Sequence, residues 1–157
     1  MPRVGLCCWR RSAFQVHHPT ARLIFVGDGN DRAALEEALT RKGLLGKVIL
    51  AGYQAPAQLA LYLRAADLFV MGSEKEGWST SLVEALAVGL PIVTTRFSSA
   101  DSIVQSGVNG YVVERDPEAF ASALERALAL PGVKAHSVRE VSKYAMSNLA
   151  TALEEIW

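Results

Sequence analysis

The sequence predicts a doubly wound α/β domain, in which a mostly parallel sheet carries helices on both faces. Two observations lead there. From Arg22 onward, short β-branched or apolar runs alternate with longer segments of helical period, the pattern that βαβ units impose. The 157 residues, 50% of them hydrophobic, fit one domain spanning residues 1–157 with enough apolar material for a core.

The elements follow in order. Strands are expected at Leu23 to Val26, Val48 to Ala51, Leu68 to Met71, Ile92 to Thr94 and Tyr111 to Val113. Between the first two, Ala34, Leu35, Ala38 and Leu39 recur at helical spacing within Asp31 to Lys42, and Gly43 follows as a stop. The same periodicity gives helices at Ala57 to Ala65 and Ser81 to Val88. Asp116-Pro117 caps a helix running to Leu130, and Pro131-Gly132 ends it. The tail from Ser137 to Trp157 reads as a final helix, with an apolar stripe through Val138, Val141, Tyr144, Ala145, Leu149, Leu153 and Ile156. Residues 1–20 are different. Val4 to Trp9 is compatible with a strand, but the stretch before Pro19 is short for a full crossover helix, so this first βα unit is abbreviated.

Totals exclude several function classes. Lys plus Arg and Asp plus Glu are 16 each, for a formal charge of 0, so no broad field points to nucleic acid as a partner. Cys7 and Cys8 are adjacent and imply no disulfide framework, which fits a reducing, cytoplasmic setting. No run of 18 or more apolar residues appears. His17 and His18 are neighbours with His136 far away, a poor set for a metal, so solvated loop histidines and no metal site are expected. Gly27-Asp28-Gly29-Asn30-Asp31-Arg32 offers two glycines of a dinucleotide fingerprint with Arg32 in the third place, which argues against an NAD site.

The chemistry concentrates between Ser73 and Pro91. This stretch runs from a buried-looking strand through a polar loop into a helix, the carboxyl edge of a parallel sheet where open α/β folds bind ligands. Ser79, Thr80 and Ser81 bring hydroxyls and unpaired N–H groups to a helix start, a setting that stabilises phosphate. The bland reading is a helix cap. Gly77 lets the backbone approach a ligand. Glu76 and Glu84 can accept hydrogen bonds from the vicinal hydroxyls of ribose and hexoses. A glycosidase carboxylate pair would need an open groove around a scissile bond, which the phosphate-binding character of this loop argues against.

Two glutamates seven residues apart, Gly77 after the first, Ala85 after the second, and Ala87-Val88-Gly89-Leu90-Pro91 leading into Ile92-Val93-Thr94 resemble the E-x(7)-E region of the group 1 glycosyltransferases. Leu23 to Gly29, Val48 to Gly52, Ala65-Ala66-Asp67 with Ser73, and Asn109 to Val113 resemble further elements of that family, so the likeness covers Thr20 to Leu130. It implies a Rossmann-like domain, the C-terminal half of a two-domain GT-B architecture, with the N-terminal acceptor domain absent from this chain. It implies that Glu84 binds ribose and that Glu76, with Gly77, Trp78 and Ser79, contacts the transferred sugar. Amides near Thr80, Ser81 and Leu82 would meet the diphosphate. Gly52, Tyr53 and Gln54 would hold the base, with Gly27, Asp28 and Gly29 at the same edge. Transfer would retain anomeric configuration without a divalent metal or other cofactor, Glu76 positioning rather than attacking.

Two departures stand out. Ser79 occupies a place where the family often has glycine, and the family's basic G-R-x(n)-K-G loop is not found. Arg10 and Arg11 are the nearest basic residues, and their spacing leaves open whether they replace it. The sequence therefore supports a donor-binding domain, taking an NDP-sugar and inactive alone. The alternative is a non-catalytic remnant or subunit that binds a partner chain. Membrane contact would come through the acceptor domain, and the final helix, without its usual surface, would favour a homodimer.

Overall fold

The computed structural model describes residues 17–144. The strand expected at Val4 to Trp9, Cys7, Cys8, Arg10, Arg11 and the tail beyond Tyr144 lie outside them. Strand β1 (Leu23–Val26) leads to α1 (Arg32–Arg41), β2 (Val48–Gly52), α2 (Pro56–Ala65) and β3 (Phe69–Met71). Then come α3 (Thr80–Val88), β4 (Ile92–Thr95), α4 (Ala100–Ile103), β5 (Gly110–Val113), α5 (Pro117–Leu128), α6 (Val133–Val141) and a 3-10 turn (Ser142–Tyr144). Every pairing among the described strands is parallel, as the βαβ rhythm requires: β1 with β2, and β3-β4-β5 as a second ladder.

Strand β4 is the centre of the molecule. All four of its residues are buried, and alternation sends them to opposite faces. Val93 joins a core with Leu39, Val48, Phe120 and Leu124, built on α1 and α5. Ile92 joins a second core with Leu63, Leu82, Leu86 and Ile103, built on α2, α3 and α4. Helices thus cover both faces, and the strands run the same way within each ladder. Their carboxyl ends, where loops emerge, share one edge within each ladder.

Three local outcomes refine the sequence reading. The last described helix begins at Val133 instead of Ser137 and gives way to the 3-10 turn after Val141. Gly132 takes the left-handed conformation and turns the chain at once, so Val133 enters buried. The near part of its apolar stripe does not lack a surface: Val141 and Tyr144 pack on the second core beside Val83 and Val88 of α3, while Val138 stays exposed. The short helix α4 has no counterpart in the sequence reading, because four residues are too few to show a period. His17 and His18 are not simply solvated. Their rings hydrogen-bond the two oxygens of Glu125 at 3.2 and 3.0 Å, tying the chain before β1 to α5.

Candidate functional site

The loop after β3 reaches α3 through Ser79, which caps that helix. Ser79 is extended, and its hydroxyl accepts from the Leu82 N–H at 3.4 Å while lying 3.4 Å from the Met71 sulfur as donor. Both Ser79 and Leu82 are buried. The cap therefore engages the Ser79 hydroxyl and the Leu82 N–H. Polar groups at the solvent side of the first turns are those of Thr80, Ser81 and Glu84. Positions 80, 81 and 84 are three and four apart and share a face, opposite Leu82, Ala85 and Leu86, which enter the core. That face sits at the positive end of the helix dipole.

Upstream, the loop is held at several points. Thr95 donates to the Ser73 carbonyl at 2.7 Å, and Ser73 donates to a Glu76 carboxylate oxygen at 3.4 Å. Ser98 Oγ lies 2.6 Å from the Glu76 carbonyl and 3.1 Å from that of Gly77. Arg115, just past β5, pairs with Glu74, and this hydrogen bond with the guanidinium charge lowers the Glu74 pKa. Trp78, half exposed, meets the Tyr144 ring edge-on at 5.1 Å. The Tyr144 hydroxyl donates to the Ser102 carbonyl at 3.1 Å, and burial raises its pKa. Glu76 and Gly77 border an open depression of about 430 Å³ with Glu74, Lys75, Phe97 and Ser98.

The predicted base loop and the glycine turn meet each other. The Gly27 N–H donates to the Gly52 carbonyl at 2.8 Å. Gln54 folds back, donating to Ala51 at 2.7 Å, and Tyr53 is exposed. Gly27, Asp28 and Gly29 line a second depression of about 310 Å³ with Asn30, Asp31 and Arg32. Arg32 was absent from the predicted site; it pairs with Glu36 at 3.0 Å and reaches the Leu50 carbonyl at 3.5 Å. Thr95, Ser98, Arg115 and Tyr144 were also absent. They meet the loop only through the tertiary fold, so local spacing carries no signal for them.

Among the described residues, no three or more His, Cys, Asp or Glu converge as metal ligands. No helix among them is long and apolar enough to cross a membrane.

Several known proteins have similar sequences. The lipopolysaccharide core biosynthesis glycosyltransferase LpsE of Rhizobium meliloti is 36% identical over 112 residues, 71% of this chain and 32% of that protein. The alpha-monoglucosyldiacylglycerol synthase of Acholeplasma laidlawii is 31% identical over 105 residues, 67% of this chain and 26% of that protein. The chain thus spans about a third or less of these relatives. Among solved structures, the pneumococcal O-GlcNAc transferase GtfA in complex with UDP and GlcNAc superposes with a TM-score of 0.82 at 16% identity, over 98% of this chain and 32% of that one. Anabaena HepE in complex with UDP and glucose gives 0.69 at 21% identity, over 93% and 45%. The α/β fold is similar to part of these GT-B glycosyltransferase structures. Residues 11–146 match the family Glycosyl transferases group 1, and this chain belongs to it.

Proposed function

We propose that the chain is the donor-binding half of a retaining hexosyltransferase, holding an NDP-sugar between the loop after β3 and the first turns of α3. The observation that carries the reading is the shared polar face of Thr80, Ser81 and Glu84 at a helix start, with Glu76 on the loop that feeds it. Glu84 accepts hydrogen bonds from the ribose hydroxyls. The Thr80 and Ser81 amides and the helix dipole favour the diphosphate, whose charge grows as the bond to the sugar breaks. Glu76, with the backbone of Gly77 and Trp78, orients the sugar. Gly52, Tyr53 and Gln54, beside Gly27 to Gly29, form the side that takes the base.

In this scheme the anomeric carbon–oxygen bond to the phosphate breaks and the acceptor oxygen bonds the same face, its proton passing to the departing phosphate. No metal takes part. A second domain supplies the acceptor and the other wall of the cleft, and the chain works in the cytoplasm. UDP-sugars are the first donors to test, since two superposable proteins are described with UDP.

Calorimetric titration of UDP-, GDP- and ADP-sugars tests this. At least one is expected to bind weakly, and Glu84→Ala is expected to weaken nucleotide and nucleotide-sugar alike by about tenfold, as loss of a charged hydrogen-bonding group would. Glu76→Ala should weaken only the sugar-bearing ligand. A folded wild-type chain silent across the panel would refute the assignment.

A further inference from the structure

Between Ser73 and Ser79 the chain forms neither helix nor strand, so its carbonyls need partners from elsewhere. Two hydroxyls past the middle of β4 supply them. Thr95, fully buried, takes the Ser73 carbonyl, and the single hydroxyl of Ser98 faces the carbonyls of both Glu76 and Gly77. Its one proton is shared between them in a three-centre bond, with the Glu76 carbonyl the nearer partner.

The geometry has a directional consequence. No described peptide bond is cis, and in a planar trans peptide the N–H points opposite to the C=O. With the carbonyls of positions 76 and 77 both turned to Ser98, the N–H groups of Gly77 and Trp78 both face the other side of the loop. Successive amides pointing one way form a surface that attracts oxygen acceptors. Nothing intrinsic to Gly77 fixes this: a Cβ there would meet nothing within 4 Å, and glycine lets its flanking peptide planes turn at little cost.

We propose that Ser98 is a positioning residue for the donor's sugar, fixing the side on which Gly77 and Trp78 present their N–H groups and, through the same peptide, the aim of Glu76. The inference rests on the donor-binding reading above and extends it to a residue 22 positions away in sequence. Ser98 touches no ligand in this role. It acts through the loop's backbone.

The test compares UDP with UDP-glucose, and GDP with GDP-mannose, on the full chain as wild type, Ser98→Ala and Ser98→Thr. The quantity read is the sugar increment, the ratio of the Kd for the nucleotide to the Kd for its sugar conjugate. Ser98→Ala is expected to cut that increment by about tenfold, the scale of a hydrogen bond in a preorganised site. Ser98→Thr, which keeps the hydroxyl, should restore it. Affinity for the bare nucleotide and the unfolding midpoint should stay unchanged, because Ser98 is exposed. In the unliganded protein, the Gly77 and Trp78 amide resonances should move in the alanine variant alone. An increment untouched by Ser98→Ala, one absent from wild type, or a parallel fall for nucleotide and conjugate overturns the positioning role. Wild-type chain that binds no nucleotide at all overturns the donor reading itself and this inference with it.

Discussion

Glu74 shows how a single ion pair shapes the loop that carries Glu76. Its carboxylate accepts from Arg115 across the ends of β3 and β5, and the hydrogen bond first, then the guanidinium charge, lowers its pKa. A depressed folded-state pKa means the contribution is fully present above the unfolded value, about 4.3 for Glu. It is lost as pH falls through the folded pKa. Glu74 is exposed, so water screens the pair and its effect on global stability is small. The consequence to expect is local. In Arg115→Ala, the Glu74 carboxyl followed by NMR should titrate at higher pH than in wild type, with the loop amides shifting alongside. A Glu74 curve identical in both proteins would show that Arg115 does not hold it.

At the scale of elements, β5 approaches β4 with no room for a side chain at Gly110. A Cβ there would lie 2.1 Å from the Ile92 carbonyl oxygen, in a register where Ile92 faces Gly110 and the Ile92 N–H bonds the Asn109 carbonyl. The obstacle is backbone of a fully buried strand, which cannot step aside. Gly110→Ala should therefore cost about 1–3 kcal/mol by overpacking, read as a lower urea midpoint with unchanged slope; an unchanged midpoint would mean the strands separate freely. Much of this level was legible beforehand. Strands β1 to β5 and helices α1, α2, α3 and α5 fall within a residue or two of the expected spans, because β-branched runs and helical periods are local signals. Asp116 likewise caps α5 as read, accepting from Ala119 at 2.7 Å. Ser79 also proves a cap, with its hydroxyl turned inward. The hydroxyls of Thr95 and Ser98 were not legible, since they reach the loop only through the β3-β4 pairing of Met71 with Thr94.

At the scale of the molecule, two cores meet on β4, and α6 with its following turn closes against α3 and the loop after β3 through Val141, Tyr144 and Trp78. This leaves the carboxyl-edge loops open: both depressions beside them face solvent, and Trp78 and Tyr53 stand exposed. Known binding sites bury most of a ligand, and charge development in transfer is stabilised where water is excluded. The chain spans about a third of such a relative, and in the donor-binding proposal it supplies one wall of the cleft. The 157-residue polypeptide alone should thus bind its NDP-sugar reversibly and release no NDP above the buffer rate, measured by enzyme-coupled NDP detection at saturating donor. NDP release that saturates with donor and disappears in Glu76→Ala would mean that this wall suffices to activate the glycosidic bond. Water would then be able to act as acceptor, and the second domain would serve acceptor choice rather than bond cleavage.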